Sequence, residues 1–214
     1  MGVAKYIEWS LGQLFSGVRG HDDKLVTKSD LFTDVPQNIH VDSPEVGPSG
    51  SHMTLKHSLL GDNKFPHLKW TLASDAGISQ SDIKEYLLFV EDPDAPIPTP
   101  GTHAVYYAIP PTKMEIRPED IDSDTSQGKG AGGEKWLKGG FRLGKNLRGT
   151  LYTGPRPVLG HGEHRYFFEV VALKEKINTA EMSPLATKGE VMQQIRGKII
   201  GWGVWVGRYE NKWS

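Results

Sequence analysis

The residues whose types and spacing could do chemistry are Asp92 and Asp94, His103, and the pair His164 and Tyr166. Asp92-Pro93-Asp94-Ala95-Pro96 leaves two carboxylates at the exit of an apolar run, residues 85–91 (EYLLFVE). Gly162-Glu163-His164-Arg165-Tyr166 puts an imidazole and a phenol at the entry of another, residues 166–173 (YFFEVVAL). His103 opens a third, residues 103–109 (HAVYYAI). Carboxylate, imidazole and phenol at strand ends make a polar pocket on a rigid frame, the usual setting for binding or catalysis. His164 and Tyr166 stand two apart on a strand and share a face, with Arg165 on the other, where a structural ion pair is expected. Gly154-Pro155-Arg156-Pro157 and Gly160-His161-Gly162 precede this strand. Their glycines let backbone approach a ligand and offer N–H groups. With histidine and tyrosine donors they suit an oxyanion or phosphate.

These groups need strands to hold them. Runs 85–91, 103–109 and 164–173 read as buried strands, and Leu68, Trp70 and Leu72 alternate with polar residues in a half-buried one. Residues 53–60 partly alternate and read as a further strand, whereas 33–50 and the long polar segment 112–150 read as irregular. Prolines at 93, 96, 98 and 100 stiffen the loop after Asp92 and remove entropy before a ligand arrives. Val3, Ile7, Leu11, Leu14, Phe15 and Val18 recur at helical spacing over 3–18, and Thr187 to Ile200 reads as a second helix through Val191, Ile195 and Ile199. Gly201 to Gly207 reads as a short strand. The expectation is a mainly β protein: two packed antiparallel sheets with a helix at each end of the chain. The boundary falls between an amphipathic extension, residues 1–24, and a single β domain, residues 25–214.

The 214 residues carry a net charge of −1, 37% hydrophobic and 24% charged residues, and no cysteine. This excludes thiol chemistry and disulfides and gives no general attraction to nucleic acid. A cytoplasmic protein with no cofactor and no metal is expected. The first helix has few cations on its polar face, which argues against membrane contact and for docking on the domain or on a second copy as a homodimer. Gly128-Lys129-Gly130-Ala131-Gly132-Gly133 matches a dinucleotide-loop spacing but follows no strand. His161 and His164 have a spacing that could suggest zinc, without a third ligand.

The two strand-end motifs, in this order and spacing, resemble the phosphatidylethanolamine-binding protein family. Gly61 to Trp70 is similar to its G-x-N-x-x-P-x-L-x-W stretch, Asp92 to Pro96 to its DPDAP, and Gly154-Pro155 with Gly162 to Tyr166 to its GP…G-x-HRY. The match covers residues 50–210, and the tail resembles fungal members. The resemblance implies Greek-key connections and a small anion pocket lined by Asp92, Asp94, His103, Gly154, Pro155, His164 and Tyr166. It implies ligands such as phosphate, carboxylates or phospho-head groups, and protein partners of kinase-like or cyclase type. For fungal relatives it implies a role in polyketide pathways, assisting ring formation on maleic-anhydride monomers. In that second case Asp92, Asp94, His103, His164 and Tyr166 would be catalytic, in an isomerase- or cyclase-type proton transfer. Two positions depart from the pattern: Ala104 is expected to widen the pocket, and Arg156 to add a cation.

Overall fold

The computed structural model describes residues 2–124 and 135–213. The runs that looked most buried form the centre of a six-stranded sheet. β3 (Glu85–Asp92) is buried at every position, and β8 (Glu163–Leu173) runs antiparallel to it from Glu85↔Leu173 to Glu91↔Phe167. β4 (Gly101–Ile109) takes the other edge of β3, followed by β7 (Phe141–Leu143) and β6 (Trp136–Leu137). β9 (Ile199–Glu210) completes the far side against β8. The sequential series β3, β4, β7, β8 therefore lies in the spatial order β8-β3-β4-β7, the Greek-key order. A second antiparallel sheet holds β1 (Ile39–Asp42), β2 (Leu68–Leu72) and β5 (Glu115–Ile116).

The six-stranded sheet is covered on both faces, so its central strands read as continuous apolar runs. One face packs against the small sheet: Leu88, Val90, Ala104, Tyr106, Phe168 and Val170 meet Ile39, Val41, Leu68 and Trp70. The other face packs Leu87, Phe89, Val105 and Val171 against Val26, Phe32 and the helix α2 (Lys188–Ile195). The first helix, α1 (Val3–Phe15), lies over the loop that leads into β8. Among the described residues no helix is long and apolar enough to cross a membrane.

Several elements differ from the sequence pattern. Residues 53–60 are not a strand. Thr54 caps a 3-10 turn at Leu55–His57, and Leu55 is exposed, so the alternation was not a buried face. β1 lies inside the segment expected to be irregular. It is only four residues long and hidden among turns, but every residue finds a partner on β2. The segment 112–150 contains β5, β6 and β7, while the glycine-rich run 128–133 lies outside the described residues. The second helix stops at Ile195. Thr187 and Glu190 box its start, Arg196 leaves helical geometry, and Gly197 turns back at φ 73°. Ile199 consequently joins β9 opposite Leu173, and the expected short tail strand is the middle of that long one.

Candidate functional site

A register break builds the site. Val90 pairs with Ala104 and Glu91 with Thr102, so His103 is the extra residue of a β-bulge in β4. Bulges re-aim side chains. Here the bulge turns His103 toward the ends of β3 and β8, where Asp92, His164 and Tyr166 face the same space. The His103 and Tyr166 rings meet edge to face at 5.0 Å. These four side chains line a cavity of about 110 Å³ with Thr153, Gly154, Arg148, Arg156 and the apolar Leu59, Ala95, Pro96, Leu147, Pro157 and Val158.

The hydrogen bonds define the chemistry. His103 Nδ1 donates to the Thr153 carbonyl, so Nε2 presents its lone pair inward, 3.9 Å from Asp92 Oδ2. Burial pushes the His103 imidazole below the ordinary histidine range against the opposing pull of Asp92, which keeps it neutral. His164 Nδ1 donates to Asp92 Oδ2 at 2.8 Å, and His164 Nε2 lies 2.7 Å from His161 Nδ1. His161 Nε2 donates to the carbonyl of Phe15, at the end of α1, at 2.9 Å. Each of these three bonds needs a proton, and two neutral imidazoles supply only two. The chain therefore closes with one proton more. Burial first, and His164 second, hold His161 below the ordinary range. The Tyr166 hydroxyl is buried in this cavity and has no hydrogen-bond partner among the described residues. Burial and the nearby Asp92 raise its pKa well above the usual tyrosine value, so it stays a donor. The closed chain of Asp92, His164 and His161 shares that proton and balances its own carboxylate, so two arginines stand against the Glu8 that pairs Arg156, leaving the lining with one positive charge in excess. A single carboxylate or phosphate monoanion complements that balance.

Not every expected residue reaches the cavity. Asp94 faces away: Arg165 clasps it through three hydrogen bonds of 2.9 Å and also binds Asp22. Burial alone would raise the Asp94 carboxyl, but these bonds prevail and hold it below the usual range. Asp94 thus fixes the β3 exit against β8. Pro155 is absent from the lining, and its carbonyl accepts from Ser58 Oγ and Leu59 N–H. The Gly154 N–H is not offered to a ligand but donated to Asn63 Oδ1. A Cβ there would sit 2.3 Å from the His57 carbonyl, so glycine serves the close approach of the 57–63 loop. Ala104 points into the core between the sheets and cannot widen the cavity. Sequence reasoning missed the part played by His161, although its spacing from His164 was the signal. Gly162, at φ 96°, bends the chain between the two and lets their rings meet at 4.7 Å. Arg148 gave no signal. Among the described residues no cluster of three or more histidine or acidic side chains could hold a metal.

α1 is fastened beside this site. Gln13 Nε2 donates to the Gly160 carbonyl, Glu8 accepts from Leu159 N–H and pairs with Arg156, and Arg19 binds the Glu163 carbonyl. Gly12 allows the approach: a Cβ would meet the Leu159 carbonyl at 2.1 Å.

The comparisons with known proteins agree with this geometry. The family model described as phosphatidylethanolamine-binding protein matches residues 43–210. Over 213 residues the chain is 40% identical to phomoidride biosynthesis cluster protein B of a fungal species, covering 99% of this chain and 98% of that protein. It is 38% identical to a protein of the same name from Talaromyces stipitatus, covering 99% and 84%. The crystal structure of Escherichia coli YbcL, titled a new member of the mammalian PEBP family, superposes with a TM-score of 0.63. Its identity is 25%, over 82% of this chain and 99% of that one. The chain belongs to the phosphatidylethanolamine-binding protein family.

Proposed function

We propose that this protein binds a small molecule bearing one carboxylate or phosphate in the cavity at the ends of β3, β4 and β8, as part of a fungal biosynthetic pathway. One observation carries the reading: the Tyr166 hydroxyl is buried in a cavity of net positive lining, with no acceptor for its proton among the described residues. An unmade hydrogen bond in the interior costs about 1–3 kcal/mol, which an oxyanion ligand would recover. The relatives named for a phomoidride biosynthesis cluster, matched along the whole chain, support the pathway context. Titration calorimetry with inorganic phosphate, acetate and butyrate tests it. Binding of at least one, weakened by Tyr166→Phe, is expected. No heat with any of them, from a folded protein, removes the proposal.

A second reading adds proton transfer, favoured by the neutral Nε2 of His103 beside the Tyr166 phenol. His103 Nε2 would take a proton from a carbon activated by a neighbouring carbonyl. The C–H electron pair would pass into an enolate, whose oxygen accepts a hydrogen bond from Tyr166. No cofactor enters this step. Exchange of the methyl protons of methylmaleate into deuterated water, followed by NMR, is its test. Exchange that His103→Gln slows by about 100-fold supports it, and exchange no faster than in buffer ends it.

A further inference from the structure

A second cavity, of about 270 Å³, adjoins the polar one and is lined by Leu11, Gly12, Phe15, Pro96, Val158 and His161. Pro96 and Val158 line both cavities. The wall of the second is apolar in effect as well as in composition. Its one polar side chain, His161, has both ring nitrogens engaged, with His164 and with the Phe15 carbonyl, and offers nothing to an occupant. A polar group moved there would lose its water without compensation, whereas an alkyl group would lose nothing. Three of the six lining residues come from α1. That helix lies outside the family-matched region 43–210, whereas the two fungal relatives match over 99% of the chain.

We infer that the ligand is amphipathic: its acidic head occupies the cavity of Asp92, His103, His164 and Tyr166, and an alkyl substituent lies under α1 against Leu11, Phe15, Pro96 and Val158. The N-terminal helix is then a specificity element of the site. The inference rests on the anion-pocket reading above. The space allows a short chain of several carbons, given that a water molecule takes up ~30 Å³ in the liquid.

The test is calorimetric titration of the full chain with linear n-alkyl carboxylates from acetate to decanoate, below their micelle concentrations, with inorganic phosphate alongside. Affinity should rise about three- to fourfold per methylene until the cavity fills, and then level off. Leu11→Asp should flatten that rise while acetate and phosphate still bind. Leu11 is about half exposed at 46%, so the variant is expected to fold, and circular dichroism checks this. Leu11→Ala should give a shallower slope. Tyr166→Phe should weaken every chain length by the same factor. Acetate and phosphate binding with no gain from chain length overturns the amphipathic inference and leaves the anion pocket standing. A chain-length gain that Leu11→Asp does not alter also overturns it. Binding that depends on chain length but is indifferent to Tyr166→Phe overturns the anion pocket. Absence of binding by the whole series and by phosphate overturns both.

Discussion

Glu91 and Asp92 are neighbours on β3, both almost completely buried, and the strand sends them to opposite faces of the six-stranded sheet. On the Glu91 face the acids meet donors from two other segments. Glu91 accepts from the Val26 N–H at 2.7 Å and from the Lys188 ammonium at 2.5 Å. Glu169, across on β8, accepts from the Thr27 hydroxyl. Burial first, and the charge of Glu91 second, push the Glu169 carboxyl well above the usual carboxylate range, and its Oε2 has no hydrogen-bond partner among the described residues. Among the described residues, none of four cavities is lined by Glu91 or Glu169, although one of them is lined by Glu85 farther along the strand. On the Asp92 face a cavity opens, and the Tyr166 hydroxyl that lines it has no partner among the described residues. Burial of charge alone therefore does not mark a functional site. What separates the two faces is whether the cluster closes up without a cavity. Where it does, the polar cluster fastens the segment around Val26 and α2 to the sheet. Where it does not, there is room and chemistry for a ligand.

The comparison predicts the largest stability effect on the Glu91 face. Glu91→Ala leaves the Lys188 ammonium and the Val26 N–H without their acceptor, at a cost of about 3 kcal/mol. Urea unfolding should show this as a lower midpoint with an unchanged slope. A midpoint indistinguishable from that of the parent chain would mean the acid cluster fastens nothing.

The same face should dominate the pH dependence of stability. Glu85 begins this row of acids, and burial raises its pKa to about 7 despite a hydrogen bond from the Ala108 N–H. Its folded-state value lies above the unfolded one, so the native state holds the proton more tightly. Stability is thus full below about pH 4.5 as far as this group is concerned and falls as pH rises to 7. Glu169 contributes with the same sign. The loss should reach about 3 kcal/mol for Glu85, at roughly 1.4 kcal/mol per pKa unit. Glu85→Gln should flatten that portion of the profile in thermal melts taken from pH 4.5 to 7.5. If the variant keeps the full slope, the acid row is not the source.

On the Asp92 face the order of effects reverses: ligand binding should suffer and stability should not. Tyr166→Phe deletes a hydroxyl that has no partner among the described residues, so the unfolding free energy should move by no more than ~0.5 kcal/mol. Affinity for an anionic ligand should drop about tenfold, the worth of one hydrogen bond to a charged group. Both quantities come from one sample, by calorimetry and by urea titration. A variant that loses stability instead of affinity would place Tyr166 with the scaffold and erase the distinction.

The strands that carry the site were legible in the sequence because β3, β4 and β8 are buried on both faces and show unbroken apolar runs. The strand-end motifs were legible because Pro93 and Gly162 punctuate them. What escaped was whatever depends on pairing. His103 reaches the cavity through a bulge, visible only as a mismatch with β3. Asp94 looked equivalent to Asp92, but alternation along β8 aims Arg165 at the one and His164 at the other. His161 seemed half of an incomplete metal site until Phe15 supplied its acceptor from far away in the chain. β1 was too short to show a period among its turns.

Arg156 gives the smallest and most discriminating case. In the sequence it looked like a free cation for the ligand. In the fold its guanidinium lies 3.3 Å from Glu8 of α1 while also lining the cavity, so its charge is shared between helix and ligand. The pair is partly exposed, and such pairs contribute about 0.2–1 kcal/mol. Arg156→Gln should therefore weaken anion binding only about two- to threefold and loosen α1 slightly, read as faster amide exchange over residues 3–15. Glu8→Gln separates the two duties. It loosens the helix by a similar amount but frees Arg156 for the ligand, so anion affinity should hold or rise. If Glu8→Gln instead weakens binding as much as Arg156→Gln does, the cation acts only by holding α1 in place, and the positive lining of the cavity reduces to Arg148.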